Sequence, residues 1–153
     1  MPVYVRNAQR KCKINTRGLK KQLLIILDTL GCRDRELSVL FAGDARIRKL
    51  NARYRDIDRP TDVLSFPQSD GNESASALLG DVVVSVETAQ RQARDHNLSF
   101  DQELLLLLIH GTLHLLGYDH EKSRAEAGRM KRKTLELFQT IFPEGNVTGA
   151  HFF

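Results

Sequence analysis

Six consecutive aliphatic residues, Leu104-Leu105-Leu106-Leu107-Leu108-Ile109, constrain this chain more than any other feature. Before them, Ser99 and Gln102 have the spacing of a capping box, in which the serine accepts from the third helical amide and the glutamine reaches back. After them, Gly117 supplies a left-handed stop. The bounded segment reads as a helix from Phe100 to Leu116 whose centre is apolar on every side. Such a helix has no face to give to water, so the other elements must surround it. At six residues the run is far too short to cross a bilayer, which takes about 20.

The remaining elements follow from periodicity. Val3 to Arg6 alternates as a short strand does, and Thr16 offers a capping oxygen to a helix marked by Leu19, Leu23, Ile26, Leu27 and Leu30 and stopped by Gly31. Leu37 to Ala42 reads as a strand, and Asp44 as the cap of a second helix with Ile47, Leu50 and Tyr54 on one face. Pro60 ends what precedes it, and Val63 to Phe66 is a short strand closed by Pro67. Gln68 to Ala77 is a polar surface loop, and the β-branched run Val82 to Val86 a strand buried on both faces. Thr88 to Asn97 reads as a polar helix, and Ser123 to Phe142 as an amphipathic helix ended by Pro143. The predicted fold class is α+β: a small mixed β-sheet of about four strands packed against helices, with the buried helix central. A length of 153 residues fits one domain, 1–153, with 144–153 as a flexible tail.

Composition excludes several classes. Hydrophobic residues at 41% and charged residues at 27% belong to a globular chain and not to a disordered or membrane one. Met1-Pro2-Val3-Tyr4-Val5-Arg6 has no leader character, so a cytoplasmic location is expected, with Cys12 and Cys32 as reduced thiols. The net charge of +4 is mild, but it is clustered: Arg6, Arg10, Lys11, Lys13, Arg17, Lys20 and Lys21 form one group, and Arg46, Arg48, Lys49, Arg53, Arg55 and Arg59 another. Such faces attract polyanions through phosphate neutralisation; a merely solvated surface is the equal alternative.

The chemistry is carried by His110-Gly111-Thr112-Leu113-His114-Leu115-Leu116-Gly117-Tyr118-Asp119-His120. Helical residues four apart differ by about 40° in direction and about 6 Å in rise, so His110 and His114 project one above the other. Gly117 can turn the chain back so that His120 approaches the same point. Three imidazoles suit a catalytic zinc, one ion per chain, because they leave a fourth position for water. Two imidazoles buried on a leucine-rich helix would cost roughly 1–3 kcal/mol each if unsatisfied, and a shared metal removes that cost. The spacing H-x-x-x-H-x-x-G-x-x-H is that of metzincin proteases, yet Gly111 stands where those enzymes carry their glutamate base. A structural zinc would want a fourth protein ligand, and Cys12 and Cys32 are both remote in sequence. Asp119 and Asp81 could orient the imidazoles, or be turn and surface aspartates; His96 and His151 read as solvated.

Three segments resemble the YbeY-type rRNA maturation factors, metal-dependent endoribonucleases. They are Asn51-Ala52-Arg53-Tyr54-Arg55 with Pro60-Thr61-Asp62-Val63-Leu64-Ser65-Phe66-Pro67, then Leu79-Gly80-Asp81-Val82-Val83-Val84-Ser85, then the histidine motif. The resemblance implies single-strand-specific cleavage in ribosomal RNA maturation, at the 3′ end of the small-subunit RNA, and in ribosome quality control. It matches His110, His114 and His120 to the family's metal ligands and Arg55 to its functional arginine; Arg53 and Arg59 beside it read as substrate-steering neighbours or, equally, as exposed surface arginines. Single-stranded ribosomal RNA is the implied partner, with a ribosomal protein or ribosome-associated GTPase beside it and no membrane. A metal-activated water or the RNA's own 2′-hydroxyl could attack. The competing readings are a ribosome-assembly factor with a structural zinc and a metzincin-like protease. Nickel or cobalt could occupy three histidines as well as zinc.

Overall fold

The computed structural model describes residues 3–68, 78–119, 121–145 and 147. In chain order the described elements are β1 (Val3–Asn7), α1 (Thr16–Thr29), β2 (Glu36–Ala42), α2 (Asp44–Arg55), β3 (Val63–Pro67), β4 (Leu78–Ser85), α3 (Val86–His96), α4 (Phe100–Leu115) and α5 (Arg124–Ile141). The four strands form one sheet in the order β1-β2-β4-β3. β1, β2 and β4 are parallel neighbours, and β3 lies antiparallel to β4 at the edge. The fold is therefore the α+β arrangement expected, with a mixed four-stranded sheet. The residues 69–77 of the predicted loop and most of the predicted tail lie outside those described.

α4 takes the central place that its composition demands. Every residue from Leu104 to Ile109 is fully buried, and the helix packs on α1, α3, α5, β3 and β4. Its capping box is made in both directions: the Ser99 amide donates to Gln102 Oε1 at 2.9 Å and the Gln102 amide to Ser99 Oγ at 3.1 Å. Gly117, at φ +97°, ends the turn that follows the helix.

Other helix starts differ from the sequence reading. The α1 cap is Asn15, whose Oδ1 accepts from the Gly18 amide at 3.0 Å, and Thr16 is the first helical residue. In α2 the cap position is Gly43, and Asp44 sits inside the first turn. Glu87 supplies the acceptor, taking the Asp44 amide at 2.9 Å, while the Asp44 carboxylate accepts from Ser85 Oγ, Thr88 Oγ1 and Arg91. His96 is not solvated. It is only 3% exposed, with Nδ1 2.6 Å from Oε1 of the fully buried Glu103, a contact that ties α3 to α4. Burial pushes the Glu103 carboxyl above its ordinary range, and the hydrogen bond with His96 opposes this.

Alternation along the strands gives the sheet two different faces. Val3, Leu37, Val39, Phe41, Val82 and Val84 are buried in the main core with α1 and α4. The opposite face carries Tyr4, Ser38, Asp81 and Phe66 in one row across all four strands, and Arg6, Leu40, Val83 and Leu64 in the next. α2 covers only part of that second face, through a small core of Ala42, Ile47, Leu64 and Val83.

Candidate functional site

His110 and His114 stand one turn apart on the last part of α4, with ring centroids 4.8 Å apart and planes at 81°. His110 is 4% exposed and His114 half-buried, so the pair forms the floor of a cavity and not part of an open surface. That cavity, about 510 Å³, is also lined by Arg55, Thr61, Asp62, Val63, Ser65, Gly117, Tyr118, Asp119, Glu121 and Lys122. The volume suits a small ligand or one unit of a polymer.

Gly111 explains how the cavity wall comes so close. A Cβ there would lie 2.6 Å from Val82 Cγ1 and 3.1 Å from both Ser65 Oγ and Val63 Cγ2. Its carbonyl accepts from Ser65 Oγ at 2.8 Å, which locks the edge strand β3 onto α4. The same packing leaves no room for a glutamate beside His110, so the general base of a metzincin protease has no place in this fold.

The turn after α4 builds the opposite rim. The Gly117 amide donates to the His114 carbonyl and the Tyr118 amide to the Leu113 carbonyl, both at 3.0 Å, folding the chain back over the helix end. Asp119 Oδ1 accepts from the Glu121 amide at 2.9 Å, bridging the position between them. That position is His120, which lies outside the described residues; Asp119 and Glu121, its neighbours on either side, both line the cavity. Among the described residues no three His, Cys, Asp or Glu side chains converge closely enough to hold a metal ion. The described part of the expected donor set is thus the His110–His114 pair. Neither cysteine lines the cavity, and Asp81 lines a different one on the other face of the sheet.

Arg55, the last residue of α2, reaches the cavity because the chain leaves the helix abruptly. Asp56 adopts a left-handed conformation at φ 59°, Asn51 Nδ2 donates to the Arg59 carbonyl at 2.9 Å, and Arg48 Nε pairs with Asp58 at 2.9 Å. These bonds fix the loop that leads into β3. Arg53 lies elsewhere, its guanidinium 5.3 Å above the Tyr54 ring, and neither Arg53 nor Arg59 lines the cavity. Lining residues that sequence reasoning had not assigned are Thr61, Asp62, Ser65, Tyr118, Glu121 and Lys122. The signal for the first three was present in the segment Thr61 to Pro67. Asp62 is oriented by its own strand, accepting from the Val63 amide at 2.7 Å, and Arg129 lies 4.5 Å over the Tyr118 ring.

An α+β domain with paired imidazoles and an arginine lining one cavity has the equipment of a hydrolase that works on an anionic centre. Comparison with known proteins narrows that class. The profile of the family described as "Endoribonuclease YbeY" matches residues 4–141. A Geobacter metallireducens protein named endoribonuclease YbeY is 46% identical over 150 residues, covering 96% of this chain and 100% of that one. An Aquifex aeolicus protein of the same name is 45% identical over 123 residues, 80% of this chain and 81% of its own. The solution structure of TM1509 from Thermotoga maritima superposes with a TM-score of 0.65 at 30% identity, covering 93% of this chain and 90% of that one. The chain belongs to the endoribonuclease YbeY family.

Proposed function

We propose that this chain is a zinc-dependent, single-strand-specific endoribonuclease that matures the 3′ end of small-subunit ribosomal RNA and serves in ribosome quality control. The observation that carries the reading is that Arg55 and the His110–His114 pair, 55 positions apart in sequence at their nearest, line one cavity. Family membership supplies the reaction class.

The residues present fit a zinc ion. Two imidazoles already stand 4.8 Å apart, edge to face, and both sequence neighbours of the third expected donor, His120, line the same cavity. Zinc held by His110, His114 and His120 would supply Lewis-acid chemistry, polarising a phosphoryl oxygen and lowering the pKa of a water toward about 7. The chain's own side chains do the rest. Arg55 offers planar paired donors to the non-bridging oxygens as negative charge builds on them, and Lys122 adds a second cation at the rim. Ser65, tied to the Gly111 carbonyl, keeps β3 at a fixed distance from the imidazoles, so the cavity is preorganised. A pocket of about 510 Å³ between β3 and the turn after α4 is on the scale of one unit of a polymer, which supports the single-strand reading. Arg53 and Arg59, exposed on either side of Arg55, steer the polyanion. A cytoplasmic location and a ribosomal protein or ribosome-associated GTPase that delivers the chain complete the proposal; among the described residues no helix is long and apolar enough to cross a membrane.

A cleavage assay tests this. Native protein should cut precursor ribosomal RNA and leave casein intact, a chelator should stop the cutting, and Arg55→Glu should retain metal while losing at least about 100-fold in rate, the scale of one transition-state donor. Native-rate cleavage by Arg55→Glu would remove that residue from the mechanism. Full activity in the chelator would leave a structural zinc or no zinc at all.

A further inference from the structure

The second face of the sheet holds a cavity of its own, about 600 Å³, where α2 leaves β1 and β2 uncovered. Four large hydrophobic side chains stand exposed among the described residues, and two of them, Tyr4 at 52% and Tyr54 at 58%, line this cavity. Tyr54 makes an edge contact with Phe66 at 5.3 Å, and both rings line the cavity together with Tyr4. The described lining holds one cation and one acid, and the excess positive charge stands beside it on α2. Arg6 lines the cavity from β1. On α2, Arg46, Lys49 and Arg53 share a stripe at three- and four-residue spacing, next to the cavity-lining Leu50 and Tyr54, and all three are exposed. Asp81 is the only acid among the described lining residues. Exposed aromatic rings beside a row of cations are what sequence-tolerant binding of single-stranded nucleic acid uses: phosphates meet cations while bases stack on rings.

The groove also lies directly behind the histidine cavity. Ser65 and Phe66 are successive residues of β3, and Tyr54 and Arg55 are successive residues of α2; in each pair one member lines the first cavity and the other the second. A strand lying in one cavity therefore needs only to pass over the β3 edge to reach the other.

We propose that the groove on the α2 face of the sheet is a second, non-catalytic subsite for single-stranded RNA, where bases stack on Tyr4 and Tyr54 and phosphates meet Arg6 and the Arg46–Lys49–Arg53 stripe. It rests on the nuclease reading for the identity of the polyanion, and it adds a track that favours long unpaired substrates over short ones. Arg53 then acts through this track and not within the histidine cavity.

The test is equilibrium binding of a labelled, unstructured oligoadenylate to the full metal-loaded chain, in long and short versions, with photo-crosslinking of a thiouridine-substituted strand. Tyr4→Ala and Tyr54→Ala should each weaken binding of the long strand by about 5- to 100-fold, the effect of losing one stacked base. Tyr4→Phe should bind as the native protein does, because the ring is kept. The short strand should be unaffected by Tyr4→Ala, and crosslinks of the long strand should include Tyr4. Asp81→Asn should leave RNA binding unchanged or tighter. Native affinity of Tyr4→Ala for the long strand, or crosslinks confined to the histidine cavity, would overturn the proposal. So would a concentration-dependent dimer abolished by Tyr4→Ala, which would assign the groove to a second copy, as would RNA binding lost in Asp81→Asn. Loss of all RNA cleavage with intact Tyr4-dependent binding would instead defeat the nuclease reading and leave the groove in place.

Discussion

The two faces of the sheet are built to opposite specifications. One is closed by α4, whose aliphatic core is wholly buried, and it carries its polar groups at fixed points: Glu103 against His96, Ser65 against Gly111, His110 over His114. The other is closed only in part by α2, which leaves an open groove with Tyr4 and Tyr54 exposed in it and the Arg46–Lys49–Arg53 stripe beside it. A close-packed wall holds a few groups at set distances, as a reaction needs, whereas an open basic face accepts many chain conformations, as binding of a flexible polymer needs. β3 is common to both, and its alternating side chains serve one face each.

The contrast can be broken most severely at Gly111. An alanine there should cost about 1–3 kcal/mol by overpacking against Val82 and Val63. Gly111→Glu, which restores the metzincin pattern, adds a buried charge and should leave too little folded protein for a two-state melt; a stable, proteolytic Gly111→Glu would contradict the packing account. Next comes Glu103→Ala. Removing one partner of this buried hydrogen bond should destabilise by roughly 1–3 kcal/mol, read as a drop in melting midpoint of about 2–12 °C. Burial raises the Glu103 carboxyl, so the stability it contributes is complete below the ordinary glutamate range and declines as pH rises through the raised value; Glu103→Gln should flatten that part of the profile. On the open face, Tyr4→Ala should change stability by no more than about 0.5 kcal/mol, since half of that side chain is already in water. A large loss there would erase the distinction between the faces.

What could be read in the sequence was local. The leucine run, the Ser99–Gln102 box and the Gly117 stop each declare themselves within a few residues, and they place α4 and the first two histidines correctly. Contacts between distant segments could not be read in this way. Asp44 looks like a cap, but its amide is met by a carboxylate 43 residues on, and its own carboxylate is taken by β4 and α3. His96 looks solvated in a polar stretch because its partner, seven residues later, belongs to another helix. Asp81, read either as an imidazole partner or as a surface aspartate, lines the cavity on the other face because strand alternation sends it away from the side of Val82. The aromatic groove is assembled from β1, β2, α2, β3 and β4, and its residues share no stretch of sequence.

Everything proposed for the first cavity depends on His120 joining His110 and His114 around one ion. Elemental analysis of purified protein tests this most directly, with native, His114→Ala and His120→Ala chains compared under identical dialysis. The account predicts close to one zinc per native chain and well below one in both variants, with folding retained by His120→Ala. Full zinc occupancy in His120→Ala would contradict it.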